Sequence, residues 1–344
     1  YCFTVQNTAP NITVPAIAPV IPYTNNSLSI NTTYTDIDGT TGSLTFRWYV
    51  NNTNIYNFTN SSVTNGSVVI ISLNDKNFTK NDQVNVSVFA NDSDLSGATV
   101  FSQMVTIQNT PPEVTTPGIL PTIIYTNLSL TSNSTILDID SDALNITFQW
   151  YRNGSAIFND TNGTVVNNSV ILTTLNSSNF SKHDEINISV WGNDSTNISI
   201  ILWSSVTTVS NTAPDFNQSL TSQTASSGST FVLHANCSDV DNDVITYYDN
   251  SSLFAINTTS GFISDSPTEY ESGSYQLNIS CDDGTLNNSQ TILYTITDAT
   301  APIFSNNTNT SPNFRREENF TANITLNDSS LGYYIFSSNV SVSW

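Results

Sequence analysis

Basic residues are nearly missing from this 344-residue chain. Three lysines (Lys76, Lys80, Lys182) and four arginines stand against 28 Asp and Glu, a net charge of −21. Seven scattered cations cannot make the basic footprint that a phosphate backbone requires, which excludes a nucleic-acid partner. Histidine is almost absent too: His183 and His234 are the only two, in unlike sequence frames. The chain has no Gly-x-Ser-x-Gly elbow, phosphate loop or Cys/His metal spacing, so it lacks the groups from which hydrolytic, phosphoryl-transfer and zinc sites are built. The adjacent carboxylates Asp282 and Asp283 have none of the aromatic and basic neighbours that a glycosidase cleft needs. We therefore expect no enzyme. No apolar run reaches 18 residues, so no membrane span is expected in this segment. The chain opens on Tyr1 without a charged n-region, and we read it as a mature chain or an internal segment.

What is present argues for folded, glycan-bearing modules. Aromatic residues make up 10% and apolar residues 38%, too many for a disordered acidic chain, and the length suits two to four domains. Asparagine is the outlier, with 47 copies, while Ser and Thr together number 97. Asn-x-Ser/Thr acceptor motifs start at 34 positions, where that composition would give about 13 by chance. They are Asn11, Asn25, Asn31, Asn51, Asn57, Asn60, Asn65, Asn77, Asn85 and Asn91; then Asn127, Asn133, Asn145, Asn153, Asn159, Asn162, Asn167, Asn176, Asn179, Asn187, Asn193 and Asn197; then Asn217, Asn236, Asn250, Asn257, Asn278 and Asn287; and finally Asn306, Asn309, Asn319, Asn323, Asn327 and Asn339. An AT-rich genome would raise lysine together with asparagine, and lysine is scarce. The excess points to dense N-glycosylation, with N-linked glycans as the expected covalent cofactor and the cell exterior as the location. So many acceptors imply a general N-glycosylation route, hence an archaeal rather than a bacterial source.

The three cysteines agree with an oxidising compartment. Cys237 and Cys281 lie in matching frames 44 residues apart, the separation of facing strands in a small sandwich; they form either a disulfide, our expectation, or two buried thiols. Cys2 is left over and could pair outside the visible chain.

Self-comparison shows the organisation. Asn7-Thr8-Ala9-Pro10 recurs as Asn109-Thr110-Pro111-Pro112 and as Asn211-Thr212-Ala213-Pro214, each step being 102 residues, and then as Thr300-Ala301-Pro302 after 88. This is a tandem array. At offset 102, Trp48-Tyr49 matches Trp150-Tyr151, while Phe78, Lys80 and Asp82 match Phe180, Lys182 and Asp184. The boundaries read as a terminal strand of a preceding or neighbouring domain at 1–6, duplicated domains at 7–108 and 109–210, a third domain at 211–298 and a partial fourth at 299–344. Apolar residues alternate at Leu44, Phe46, Trp48 and Val50, and again at Val84, Val86, Val88 and Ala90, with turn clusters about every ten residues. The predicted fold class is all-β: tandem immunoglobulin-like antiparallel β-sandwiches with a central tryptophan in each duplicate.

Trp48-Tyr49-Val50-Asn51-Asn52 and Trp150-Tyr151-Arg152-Asn153-Gly154, followed by Asn-Phe-x-Lys-x-Asp and closing on Asn-Thr-Ala/Pro-Pro, resemble the immunoglobulin-like repeats of large archaeal and bacterial surface proteins. Asp239-Val240-Asp241-Asn242-Asp243, with Phe254-Ala255-Ile256-Asn257, Ser260-Gly261-Phe262-Ile263 and Asp283-Gly284, is similar to their cadherin-like, dystroglycan-type repeat. The resemblance implies adhesins, surface layers, stalks or filaments. The third repeat lacks the paired Glu motifs of a full cadherin calcium signature.

Carboxylates cluster in matching loops: Asp36 and Asp38; Asp138, Asp140 and Asp142; Asp239, Asp241 and Asp243; with Asp92 and Asp94, Asp194, and Asp282 and Asp283 in the loops that share their pole. Either these are solvated acidic loops or a hard cation bridges them. For the third repeat we expect Ca²⁺ on Asp239, Asp241, Asp243, Asp282 and Asp283. The functional expectation is a non-enzymatic structural glycoprotein, with Pro-containing hinges joining modules into a rod. The alternative is a Ca-dependent adhesin or a carbohydrate-binding surface module, in which Tyr247 and Tyr248 or Tyr333 and Tyr334 would offer rings. The expected partners are copies of the same chain, head to tail. Residues 1–6 resemble the last strand of a repeat, and 320–326 with 333–342 resemble the first strands of another, so either the chain continues or a neighbour donates a strand.

Overall fold

Alternation of apolar and polar residues dictates strands, and strands are what form. The computed structural model describes residues 5–299 and 301, and the backbone alone of 303–309 and 322–327. Among the described residues it is all-β apart from three single turns of 3₁₀ helix, and the tandem immunoglobulin-like reading holds. By compactness the chain divides into two units. Among the described residues, the first runs to Ile123 and includes Ser129–Asn179 and Asp184–Thr207; the second holds Ile124–Leu128, Phe180–His183 and the described residues from Thr208 onward.

The first unit contains two sandwiches of the same plan. In one, Leu28–Thr35 is central to a sheet completed by Asn11–Ile12, Ala16–Ala18 and Val68–Leu73. Its alternate residues Leu28, Ile30, Thr32 and Tyr34 are buried. They meet Leu44, Phe46 and Trp48 of Thr41–Val50 and Val84, Val86, Val88 and Ala90 of Gln83–Asn91, strands paired in the opposing sheet. The second sandwich repeats this with Leu130–Leu137 against Leu144–Arg152 and Glu185–Asn193. Both tryptophans are fully buried. The Trp150 indole N–H donates to Thr173, whereas in the duplicate Ile71 stands at that position and the Trp48 N–H has no partner.

Duplicate cores fill matching positions with different side chains. In the first sandwich the large Tyr34 sits beside Gly42, where a Cβ would collide with the tyrosine hydroxyl; the hydroxyl donates to Asp36. Burial, then that hydrogen bond and charge, push the Tyr34 phenol up to about 12. In the second the corresponding residues are Ile136 and Leu144, and the large-to-small compensation moves to Gly192, facing Ile136 where the first domain has Ala90.

The third sandwich lies in the second unit. Gln223–Ser226, Asn287–Thr297, Gly273–Asp282 and Thr246–Asp249 form its main sheet, opposed by the pairs Asp215–Phe216 with Cys237–Ser238 and Phe231–His234 with Phe262–Asp265. Cys237 and Cys281 are disulfide-bonded between these layers, in a core of Phe231, Leu277, Ile279 and Tyr294 that lacks a tryptophan. Of the expected strand at 1–6, residues 1–4 lie outside the described residues, and Val5 and Gln6 join no sheet. Backbone at Ala322–Asn327 pairs antiparallel with Ile303–Asn309, while the strand expected at 333–342, with Tyr333 and Tyr334, lies outside the described residues, as does Cys2.

The Gly192 site gives a direct test of core volume. A Cβ there would stand 2.6 Å from Ile136 Cδ1. Gly192→Ala is expected to cost about 1–3 kcal/mol through overpacking, and Ile136→Val, which removes that methyl group, to restore most of the loss. Denaturant unfolding of the single and double variants measures both.

Candidate functional site

The repeated Asn-Thr markers turn out to be clamps. As each domain begins, the asparagine amide donates to a carboxylate in one loop and the threonine backbone N–H donates to a carboxylate in another. In the first domain Asn7 reaches Asp92 at 2.9 Å and Thr8 N–H reaches Asp38 at 2.9 Å. In the second Asn109 reaches Asp194 at 2.7 Å and Thr110 N–H reaches Asp140 at 2.8 Å. In the third Asn211 reaches Asp283 at 2.8 Å and Thr212 N–H reaches Asp241 at 2.7 Å. The acidic loops therefore hold the entering strand. None of the three clamp asparagines is an acceptor motif, since Ala, Pro and Ala follow the threonine.

Lysine completes the arrangement, a role the sequence reasoning missed. Lys80, from the first repeat, donates to Asp142 of the second and to Asn109 Oδ1 at 3.4 Å. Lys182 does the same one period later, donating to Asp243 and to Asn211 Oδ1 at 3.3 Å. Each ammonium thus bridges the clamp asparagine and a carboxylate of the following repeat. The signal was available: two of only three lysines recur at offset 102 inside Phe-x-Lys-x-Asp.

Electrostatics follow from these partners. The hydrogen bond to Asp142 raises Lys80 above the ordinary lysine value, helped by the charges of Asp142, Asp140 and Asp138 and opposed by burial; Lys182 is raised likewise by Asp243, with Asp241 and Asp239. Burial works to raise Asp194, but the Asn197 N–H, the Asn109 amide and the Thr196 N–H outweigh it and hold it low. Asp283 is lowered in the same way by Leu286 N–H, Asn211 and Thr285 N–H. Asp138 goes the other way. It is 2% exposed, and burial with the like charges of Asp142 and Asp140 pushes it up despite backbone donors.

Some oxygens at these poles stay unpaired. Asp138 Oδ2, Asp142 Oδ2 and Thr110 Oγ1 in the second repeat, and Asp239 Oδ2, Asp241 Oδ1 and Thr212 Oγ1 in the third, are buried without a hydrogen-bond partner. Carboxylate oxygens of Asp138, Asp140 and Asp142 lie within 4.8 Å of one another, as do those of Asp239, Asp243 and Asp283. Of the five expected calcium ligands, the structure converges these last three. Asp241 is turned to Thr212 N–H, and Asp282 accepts from Gly284 N–H in its own turn.

The expected glycan acceptors spread over the surface. The side chains of 28 are described and none is buried; Asn306, Asn309, Asn323 and Asn327 lie in strands described by backbone alone, and Asn319 and Asn339 lie outside the described residues. Their amides are not equivalent. Asn65 donates to the Asp36 and Gly39 carbonyls and accepts from Asp36 N–H, and Asn167 repeats this with Asp138. Asn31 and Asn133 have exposed side chains without such ties. The two histidines have structural places: His183 takes a left-handed turn position that Asn81 fills in the duplicate, and His234 stacks on Phe262 at 4.1 Å. Tyr247 is buried and Tyr248 exposed, so that pair does not form a two-ring face.

No protein-family model matches the chain, and no curated protein does. Among solved structures it is similar to extracellular domains 3–5 of Drosophila OTK, with 12% identity over 85% of this chain and all of that one, at a TM-score of 0.28. A titin I67–I69 variant gives 12% identity over 86% of this chain and 100% of that one, at 0.32. An ICAM-5 D1–D4 ectodomain fragment gives 12% over 88% and 80%, at 0.36.

The clamp has a defined pH window. Lys80, raised in the fold, contributes fully below the ordinary lysine value and is lost as pH climbs through the folded value; Asp194, lowered, contributes above the ordinary carboxylate value and is lost as pH falls through the folded one. Lys80→Gln is expected to lower the stability of the first two domains by about 0.5–1 kcal/mol at neutral pH. The difference should shrink in ~1 M salt and vanish in strong alkali. Chemical denaturation across pH and salt measures it.

Proposed function

We propose that the chain is a non-catalytic structural segment of a cell-surface glycoprotein, of the kind found in archaea, that builds a stalk, surface layer or filament by head-to-tail association of β-sandwich modules under a coat of N-linked glycans. The observation that carries this reading is the clamp. The clamp asparagines and threonines tie the strand that enters each domain to its acidic loops, and the two recurrent lysines each reach a carboxylate of the following repeat. The acceptor motifs, more than double the chance number and nowhere buried among the described residues, support the coat and the extracellular location. Copies of the same chain are the proposed partners, with strand donation as one route. Negative-stain imaging of the purified material is the experiment: filaments, stalks or lattices are expected, and dispersed single particles at high concentration refute assembly.

The coat has its own test. Intact mass before and after glycan removal should differ by many sugars. Site by site, Asn31 and Asn133 are expected to be occupied, while Asn65 and Asn167, whose amide hydrogens serve the fold, are expected to be skipped or sparsely filled. Glycopeptide mapping distinguishes the two sets, and a mass near the bare 37.5 kDa rules out the coat.

A second reading, a Ca-dependent adhesin, is favoured by the unpaired buried oxygens. Asp239, Asp243 and Asp283, with Asp241 and Thr212 adjoining, offer the hard oxygens that Ca²⁺ takes, six to eight at a time, and Lys182 already neutralises part of the charge. Calcium at ten times its dissociation constant would add about 1.4 kcal/mol to the third domain. Melting with and without chelator reads this directly, and an unchanged midpoint leaves the lysine as the sole counter-ion.

A further inference from the structure

Each sandwich of the first unit carries, on the outer face of its main sheet, a pair of aromatic rings that the core does not use. In the second, Tyr151 and Trp203 are 4.9 Å apart between centroids, and Trp203 is 48% exposed. In the first, Tyr49 and Phe101 are 6.2 Å apart, and Phe101 is 53% exposed. All four occupy matching positions at offset 102, so the duplicates keep an exposed ring pair that burial would otherwise favour removing.

Strand register sets an acceptor motif against each pair. Asn187 is directly opposite Tyr151, and Ser189, the third residue of the same motif, is directly opposite Trp203. Asn85 and Ser87 stand in the same relation to Tyr49 and Phe101. Cross-strand neighbours on one face have Cβ atoms about 4.5–5.5 Å apart, within reach of the first sugar of an N-linked glycan. Neither asparagine side chain is tied by a hydrogen bond among the described residues. A pyranose ring presents a face of C–H groups with hydroxyls at its rim, the complement of a ring that is apolar on its face and wet at its edge. Covalent attachment one residue away makes the sugar's local concentration very high.

We propose that Tyr151 with Trp203, and Tyr49 with Phe101, are platforms on which the first sugars of the glycans at Asn187 and Asn85 pack. This rests on the glycan reading above and goes beyond it: at these two motifs the sugar is part of the folded domain's packing, and the exposed rings are not a face for a foreign ligand.

The test uses the full chain produced as a secreted glycoprotein, alongside Asn187→Gln, Ser189→Ala and Trp203→Ala. Ser189 Oγ has no partner, so its loss removes the motif without removing a hydrogen bond. Glycopeptide mass at residue 187, acrylamide quenching of tryptophan emission and melting are read for each. The expected result is a glycan at Asn187, stronger quenching in both N187Q and S189A, and a melting temperature lower by about 2–4 °C in each. In W203A the glycan should remain, but enzymatic deglycosylation should no longer lower the melting temperature. No glycan at Asn187 overturns the proposal and the glycan reading at that site together. A glycan whose loss leaves quenching and melting unchanged overturns the proposal alone. Protection of Trp203 in N187Q by added free oligosaccharide, with no such effect of the attached glycan, overturns it in favour of a lectin face.

Discussion

Carboxylates gathered at one pole of a sandwich repel one another, and the fold has to supply donors to hold them there. That constraint organises the joints of this chain. Backbone N–H groups of the tight turns meet aspartates such as Asp194, the clamp asparagine and threonine meet Asp194 and Asp140, and a lysine from the preceding repeat meets Asp142. A chain with only seven cations has placed two of them at equivalent points. The acidic poles are therefore anchoring points for the chain itself, and their unpaired oxygens mark where the supply of donors stops short.

The same economy separates the core from the surface. Trp48 and Trp150 fill identical spaces, yet their neighbours have diverged: Tyr34 with Gly42 in one copy, Ile136 with Leu144 and Gly192 in the other. Exchange of apolar parts of different size and shape is what a core can absorb when its neighbours adjust. The joints have not diverged in this way. Asn, Thr, the carboxylates and lysine recur as the same residue types, because a hydrogen bond to charge depends on chemistry and distance in a way that apolar filling does not.

Much of the fold was legible because its signals are local and periodic. Alternation at Leu44, Phe46 and Trp48 pointed to the strand Thr41–Val50, and the 102-residue period to the matching loops in which Asp138 and Asp239 lie. Legibility ended where partners are far apart in sequence. Lys80 and Asp142 are separated by 62 residues, and no period-two pattern reports that they meet. Of the five aspartates expected around calcium, Asp239, Asp243 and Asp283 converge, while one oxygen of Asp241 accepts from Thr212 N–H and one of Asp282 from Gly284 N–H. Sequence spacing identifies the loops; which oxygen faces inward depends on the turn geometry. Equally, the acceptor motif at Asn65 looks like any other until its amide is seen holding the Asp36 loop.

The clamp asparagines carry a further consequence, for how the gene can change. In Asn7-Thr8-Ala9 and Asn211-Thr212-Ala213 the residue two places on is alanine, whose codons differ from those of serine and threonine by one base. A single such substitution would turn the clamp into an acceptor motif centred on the amide that meets Asp92 or Asp283. Under the proposed glycan coat, gain of an acceptor motif at these positions would therefore cost the clamp its amide donor. The same holds at Asn109, where the residue two places on is Pro111, whose codons are likewise one base from those of serine and threonine.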